Sequence, residues 1–124
     1  MNERIARDEV REERIANEAL VDTYGPEEQA MGWYCYLEDR LALPFLARCI
    51  QKRRISPLEI GEVIEVTGMA SQEDCMSDMI VIVAWQNREL GVPLAQLEPV
   101  NVDADTAEAI GDWHYWVARG HELG

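Results

Sequence analysis

Residues 25–44, GPEEQAMGWYCYLEDRLALP, constrain the fold more than any other stretch. Pro26 suits the first helical position, where its missing N–H is no loss. Glu27 and Glu28 follow in the first turn, where the helix dipole favours negative charge. Ala30, Tyr34, Leu37 and Leu41 recur at i, i+4, i+7 and i+11, one apolar stripe that Trp33 widens. This pattern predicts a helix over 26–43, docked on a core and stopped by Pro44.

Glu38 and Asp39 run against the grain of that helix. Its C-terminal end disfavours anions, and Arg40 offsets only part of their charge. Carboxylates kept where local stability argues against them are candidates for cation binding; the alternative is a solvated polar face.

The strands follow in close succession. Residues 45–50 alternate, with Phe45, Ala47 and Cys49 on one side. QKRR at 51–54 reads as a solvated basic turn and 55–58 as a loop held by Pro57. A glycine-bracketed strand is expected over 61–68, then an acidic connection over 71–78. MIVIVAW at 79–85 is nearly all apolar, as a central strand covered on both faces would be. Residues 86–89 turn the chain, and 90–94 form a strand that Pro93 places at an edge. A single 3₁₀ turn at 95–97 precedes a last strand near Val100.

Asp105 and Glu108 form a capping arrangement for a final helix over 105–119. Thr106, Ile110, Trp113 and Val117 give its apolar stripe, Gly120 ends it, and Trp113 and Trp116 are expected to cover an open end of the barrel. Residues 1–20 carry two similar segments, ERIARDE and ERIANEA, with opposite charges such as Glu3 and Arg7 at helical spacing. The first ten are expected to fray, and a docking helix is expected from Arg14 on. The fold class is therefore α+β: a small SH3-like antiparallel β-barrel over 45–102 flanked by N-terminal and C-terminal helices. Residues 1–20 form a charged arm and 21–124 one domain.

Charge narrows the function. The 124 residues hold 24 acids against 11 bases, a net charge of −13. Phosphate and anionic lipid repel such a surface, so neither nucleic acid nor membrane is an expected partner; metal cations and basic proteins are. Three cysteines without CxxC spacing suggest reduced thiols and a cytoplasmic monomer, not a disulfide or zinc framework. The charged N-terminus does not look like a secretory signal, and no apolar run is long enough to span a bilayer.

Carboxylates cluster at Glu27 and Glu28; at Glu38 and Asp39; at Glu73, Asp74 and Asp78; and at Asp103, Asp105, Glu108 and Asp112. Calcium takes oxygen ligands of this kind, and clusters from separate elements can combine. Residues 101–112 open like an EF-hand loop, but Thr106 stands where that loop needs glycine. The capping signal also makes the segment helical, so an EF-hand is rejected. His114 and His121 are the candidate bases, and no spacing pairs either with Cys35, Cys49 or Cys75, so no enzyme is expected. No GxGxxG, P-loop or HExxH motif is present.

WYCYLED at 33–39, VPLAQLEP at 92–99 and DWHYW at 112–116 resemble blocks of the CcbP-type calcium-binding proteins described from cyanobacteria. Residues 22–45 and 55–70 carry the same likeness, in the same order, from about Val21 to Gly120. The resemblance implies one compact domain that binds calcium without EF-hands, as an intracellular buffer or sensor. It implies Asp39 as principal ligand with Glu38, then Asp103 and Asp105, then Glu27 and Glu28, divided over more than one site. The rival expectation is an acidic SH3-like protein-interaction module with a basic protein partner.

Overall fold

The computed structural model describes residues 6–123. The expected pairing of Glu3 with Arg7 therefore lies outside the described residues. A short helix α1 (Glu9–Arg14) runs into one π-helical turn (Ile15–Ala19), and a loop leads to α2 (Pro26–Arg40). Five strands follow: β1 (Phe45–Cys49), β2 (Val63–Met69), β3 (Ile80–Trp85), β4 (Arg88–Pro93) and β5 (Leu97–Val100). Helix α3 (Ala104–Ala118) closes the sequence of elements.

α2 buries Ala30, Trp33, Tyr34 and Leu37, the expected stripe, and Tyr36 beside them. It stops at Arg40, three residues before the expected end. Pro44 has no N–H for the carbonyl of Arg40 four residues back and its ring would clash with it, and Leu41 is already extended at ψ 122°. α3 begins one residue early because Asp103, not Asp105, is its cap: the Asp103 carboxylate accepts from the Thr106 N–H at 3.2 Å.

The strands form one antiparallel sheet in the order β4-β3-β2-β1-β5. β4 starts at Arg88 because the turn needs only Gln86 and Asn87, both with positive φ (49° and 62°), as a tight hairpin requires. β3 is interior by pairing but covered on one face: Val81 and Val83 are buried, Ile80 and Ile82 half-buried, and Ala84 exposed. The SH3-like barrel expected from the sequence is present only as this five-stranded antiparallel sheet. β4 and β5 each pair with a single neighbour, so the ladder does not close. The sheet is nonetheless strongly curled. Flat, its edges would stand about 19 Å apart. Yet the 3₁₀ turn Leu94–Gln96 joins them directly, a reach of at most about 14 Å.

α3 lies over β5 and that 3₁₀ turn, and its Trp113 and Trp116 meet Trp33 of α2. Trp33 and Trp113 pack edge to face at 5.1 Å. The junction with α1 is polar. Asp112, fully buried on α3, accepts from Arg11 at 2.7 Å, from Arg14 at 2.7 and 2.8 Å, and from the Tyr36 hydroxyl at 2.6 Å. The Tyr115 hydroxyl accepts from the Asp8 N–H and donates to Glu12. These bonds hold Asp8, Arg11, Glu12 and Arg14 against α3, while Glu9 and Val10 stay exposed.

Candidate metal centre

α2 carries one acidic pair in its first turn and another in its last. Glu28 and Asp39 are eleven residues apart, roughly 16 Å along the axis. Oxygens sharing one calcium ion lie within about 5 Å of one another, since each sits 2.3–2.6 Å from the metal. One calcium ion therefore cannot take ligands from both ends of α2.

At the N-terminal end, Glu27 and Glu28 line a depression with Asp22, Thr23, Met31 and Gly32. Asp22 has a positive φ of 59°, and the Glu28 carboxylate accepts from the Tyr24 N–H at 2.7 Å. The loop is thus folded back onto the helix start, and Asp22 lines the same depression as the acidic pair, a neighbourhood that nothing in its spacing announces.

At the C-terminal end, Glu38 and Asp39 are exposed. Glu38 accepts from the Tyr34 hydroxyl at 3.3 Å; burial first, then the Glu38 charge and this bond, raise the Tyr34 pKa. Asp39 lines a depression with Glu18, Cys35, Tyr36 and Arg40. Asp103 and Asp105 stand at the start of α3, which meets this end of α2. The Thr106 hydroxyl accepts from the Ala42 N–H at 2.9 Å and donates to the Arg40 carbonyl at 3.4 Å. Asp103 nevertheless lines a separate depression, with Ala42, Leu46 and Asn101.

None of Glu27, Glu28, Glu38, Asp39, Asp103 and Asp105 forms an ion pair among the described residues. Nor do any three His, Cys, Asp or Glu side chains there stand close enough to hold one metal. Two carboxylates side by side on one helix repel each other. Their chemistry fits calcium: hard oxygens, solvent-accessible, with backbone carbonyls and water at hand to fill a flexible coordination shell.

The other acidic clusters are differently employed. Asp112 and Glu108 belong to the arginine junction, Glu108 facing Arg14 at 3.6 Å. Burial pushes the Asp78 carboxyl up, and Arg53 at 3.6 Å only partly offsets this. The histidines are also engaged: His114 Nε2 bonds the Leu97 carbonyl at 2.7 Å and His121 stacks on Trp116. Burial lowers the His114 pKa and raises that of Cys75. No helix among the described residues is long and apolar enough to cross a membrane.

The comparisons with known proteins agree with this chemistry. A family model described as calcium binding, that of the CcbP proteins, matches residues 13–117. The crystal structure of Anabaena CcbP is 43% identical, with a TM-score of 0.85, covering 96% of this chain and 98% of the other. A calcium-binding protein solved in its calcium-binding form is also 43% identical, with a TM-score of 0.84, covering 94% and 96%. No curated protein gave a significant match. The chain belongs to the CcbP family of calcium-binding proteins.

Proposed function

We propose that this chain binds calcium at both ends of α2 and serves as a non-catalytic calcium buffer or sensor in a reducing, cytoplasmic compartment. The observation that carries the reading is the 43% identity, over nearly the whole chain, to a protein solved in its calcium-binding form. Asp39 and Glu38, with Asp103 or Asp105 across the helix junction, form one site. Glu27 and Glu28, with Asp22, form the other. In each, α2 fixes the backbone of one acidic pair, while the partner acids sit on the start of α3 at one end and on the preceding turn at the other. The residues hold their carboxylates exposed and, among the described residues, without ion pairs, so none of those must break on binding. Calcium supplies charge neutralisation there, which removes the carboxylate repulsion. The curl of the sheet supports an SH3-like description, and the chain is read as a monomer.

Calorimetric titration with calcium and with magnesium tests the proposal. Magnesium demands tight octahedral geometry and releases water reluctantly, so calcium should bind more tightly, with more than one ion per chain. Equal, weak, salt-sensitive heats from both ions would overturn it in favour of an acidic protein-interaction module.

A further inference from the structure

We infer that Glu18 and Tyr36 tether the Arg40 guanidinium away from Asp39 and so keep that carboxylate available to a cation. The inference rests on the reading of Asp39 as a ligand. Asp39, Arg40, Glu18 and Tyr36 line one depression. Neighbouring residues on a helix point about 100° apart, so a contact between the two would need the long Arg40 arm to swing back across the depression that both line. A guanidinium on a flexible arm is well suited to a carboxylate, and a charge-assisted pair would satisfy both. The structure instead turns Arg40 to the π-helical turn, where it pairs with Glu18. Its Cζ lies 4.5 Å from the centre of the Tyr36 ring. Its Nε is buried without a hydrogen-bond partner among the described residues, a cost that the tether must outweigh. The Tyr36 ring is itself fixed, because its hydroxyl donates to Asp112, which Arg11 and Arg14 hold. A chain of contacts thus runs from the buried junction to Arg40, and Asp39 is left without an ion pair among the described residues.

Glu18 acts through Arg40, as a positioning residue rather than a ligand. If Glu18→Gln lets Arg40 spend about four-fifths of its time on Asp39, the calcium Kd at that end rises about fivefold. Arg40→Gln should keep or tighten wild-type affinity, and Glu18→Gln added to Arg40→Gln should change little. Loss of one acidic charge contributes equally in both backgrounds, so the difference between them isolates the tether. The same loss from Glu18→Gln in both backgrounds would overturn the tether and make Glu18 a direct or long-range electrostatic contributor. A second measurement needs no calcium. The Arg40 Nε–H resonance should move on Glu18→Gln and return towards its original position when Asp39→Asn is added; an unmoved resonance would also overturn the tether. If Asp39→Asn alone leaves calcium binding unchanged, the site reading fails, and the resonance still reports where Arg40 goes.

Discussion

Asp112 and Asp39 are both helix-borne carboxylates from acidic stretches, and the fold treats them in opposite ways. Asp112 is fully buried and accepts four hydrogen bonds, three from arginines and one from a tyrosine. Asp39 is exposed and has no ion pair among the described residues. Burial pushes the Asp112 carboxyl up, but the bonds from Arg14 and Tyr36, the Arg14 charge and the bond from Arg11 outweigh it, and its pKa falls below the ordinary value. Its partners respond accordingly. The bond to Asp112 raises the Arg14 pKa, and burial followed by that bond raises the Tyr36 pKa. The contrast shows that a carboxylate's role is decided by the cations the chain folds against it. One acid is saturated from within and serves stability; the other keeps its carboxylate in solvent.

The largest effect is expected from Asp112→Asn. It leaves two arginines facing a neutral amide, a loss of about 3 kcal/mol on urea denaturation at neutral pH. Because the folded-state pKa is depressed, the junction's contribution is complete above the unfolded value of about 3.9 and is lost as pH falls through the folded value. The gap between wild type and variant should therefore narrow in acid. A gap unchanged down to pH 2 would show that the charge is not what holds α1. Calcium affinity should be nearly unaltered, because the asparagine oxygen can still accept from the Tyr36 hydroxyl and so keep the ring that holds Arg40 in place.

Gly32→Ala approaches the comparison from the exposed face. A Cβ at Gly32 would collide with the backbone carbonyl of Ala19 in the π-helical turn, which cannot yield as a side chain could. A destabilisation of about 2 kcal/mol is expected in thermal or urea melts. A neutral result would mean that the turn and α2 are not in fixed contact.

Asp39→Asn should weaken calcium binding at least about tenfold, or roughly 1.4 kcal/mol, while barely changing calcium-free stability. Calorimetry and melting measure the two halves of that statement. An affinity equal to wild type would make Asp39 a solvated surface acid. Glu73→Gln marks the floor: Glu73 is exposed in the short 3₁₀ turn Glu73–Cys75, and a stability change within about 0.5 kcal/mol is expected. A larger loss of either calcium binding or stability would mean that this loop carries more than solvent.

The elements legible in the sequence were those with local causes. Pro26, the apolar stripe of α2 and the alternation of β1 each act within a few residues, and the structure follows them. The cap of α3 was misplaced because Asp103 and Asp105 are both chemically suited and only the backbone path selects the first. The seating of α1 was hidden because Arg11 and Arg14 meet Asp112 across about a hundred residues of sequence. That β5 pairs only with β1 and β4 only with β3, which leaves the ladder open, is something no spacing reveals. At the candidate site, sequence located the acidic pairs but not their surroundings. It could not tell that Asp112 and Glu108 would face arginines while Asp103 and Asp105 would not, or that Asp22 would fold back beside Glu27 and Glu28.

The aromatic packing divides the protein's optical signals. Trp33, Trp113 and Trp116 lie with ring centres 5.1 to 5.5 Å apart, close enough to exchange excitation and to give a coupled near-ultraviolet dichroism band. Trp85 stands apart on β3, its indole N–H donating to Glu62 at 2.9 Å, and should emit as an isolated, half-exposed indole. Trp33 is wholly buried behind the helix whose outer face carries the acids. A cation at either end of α2 would thus reach the coupled band only by shifting the helix against α3. A calcium titration followed in that band would record rigid-body displacement, with Trp85 as an internal reference on the same chain.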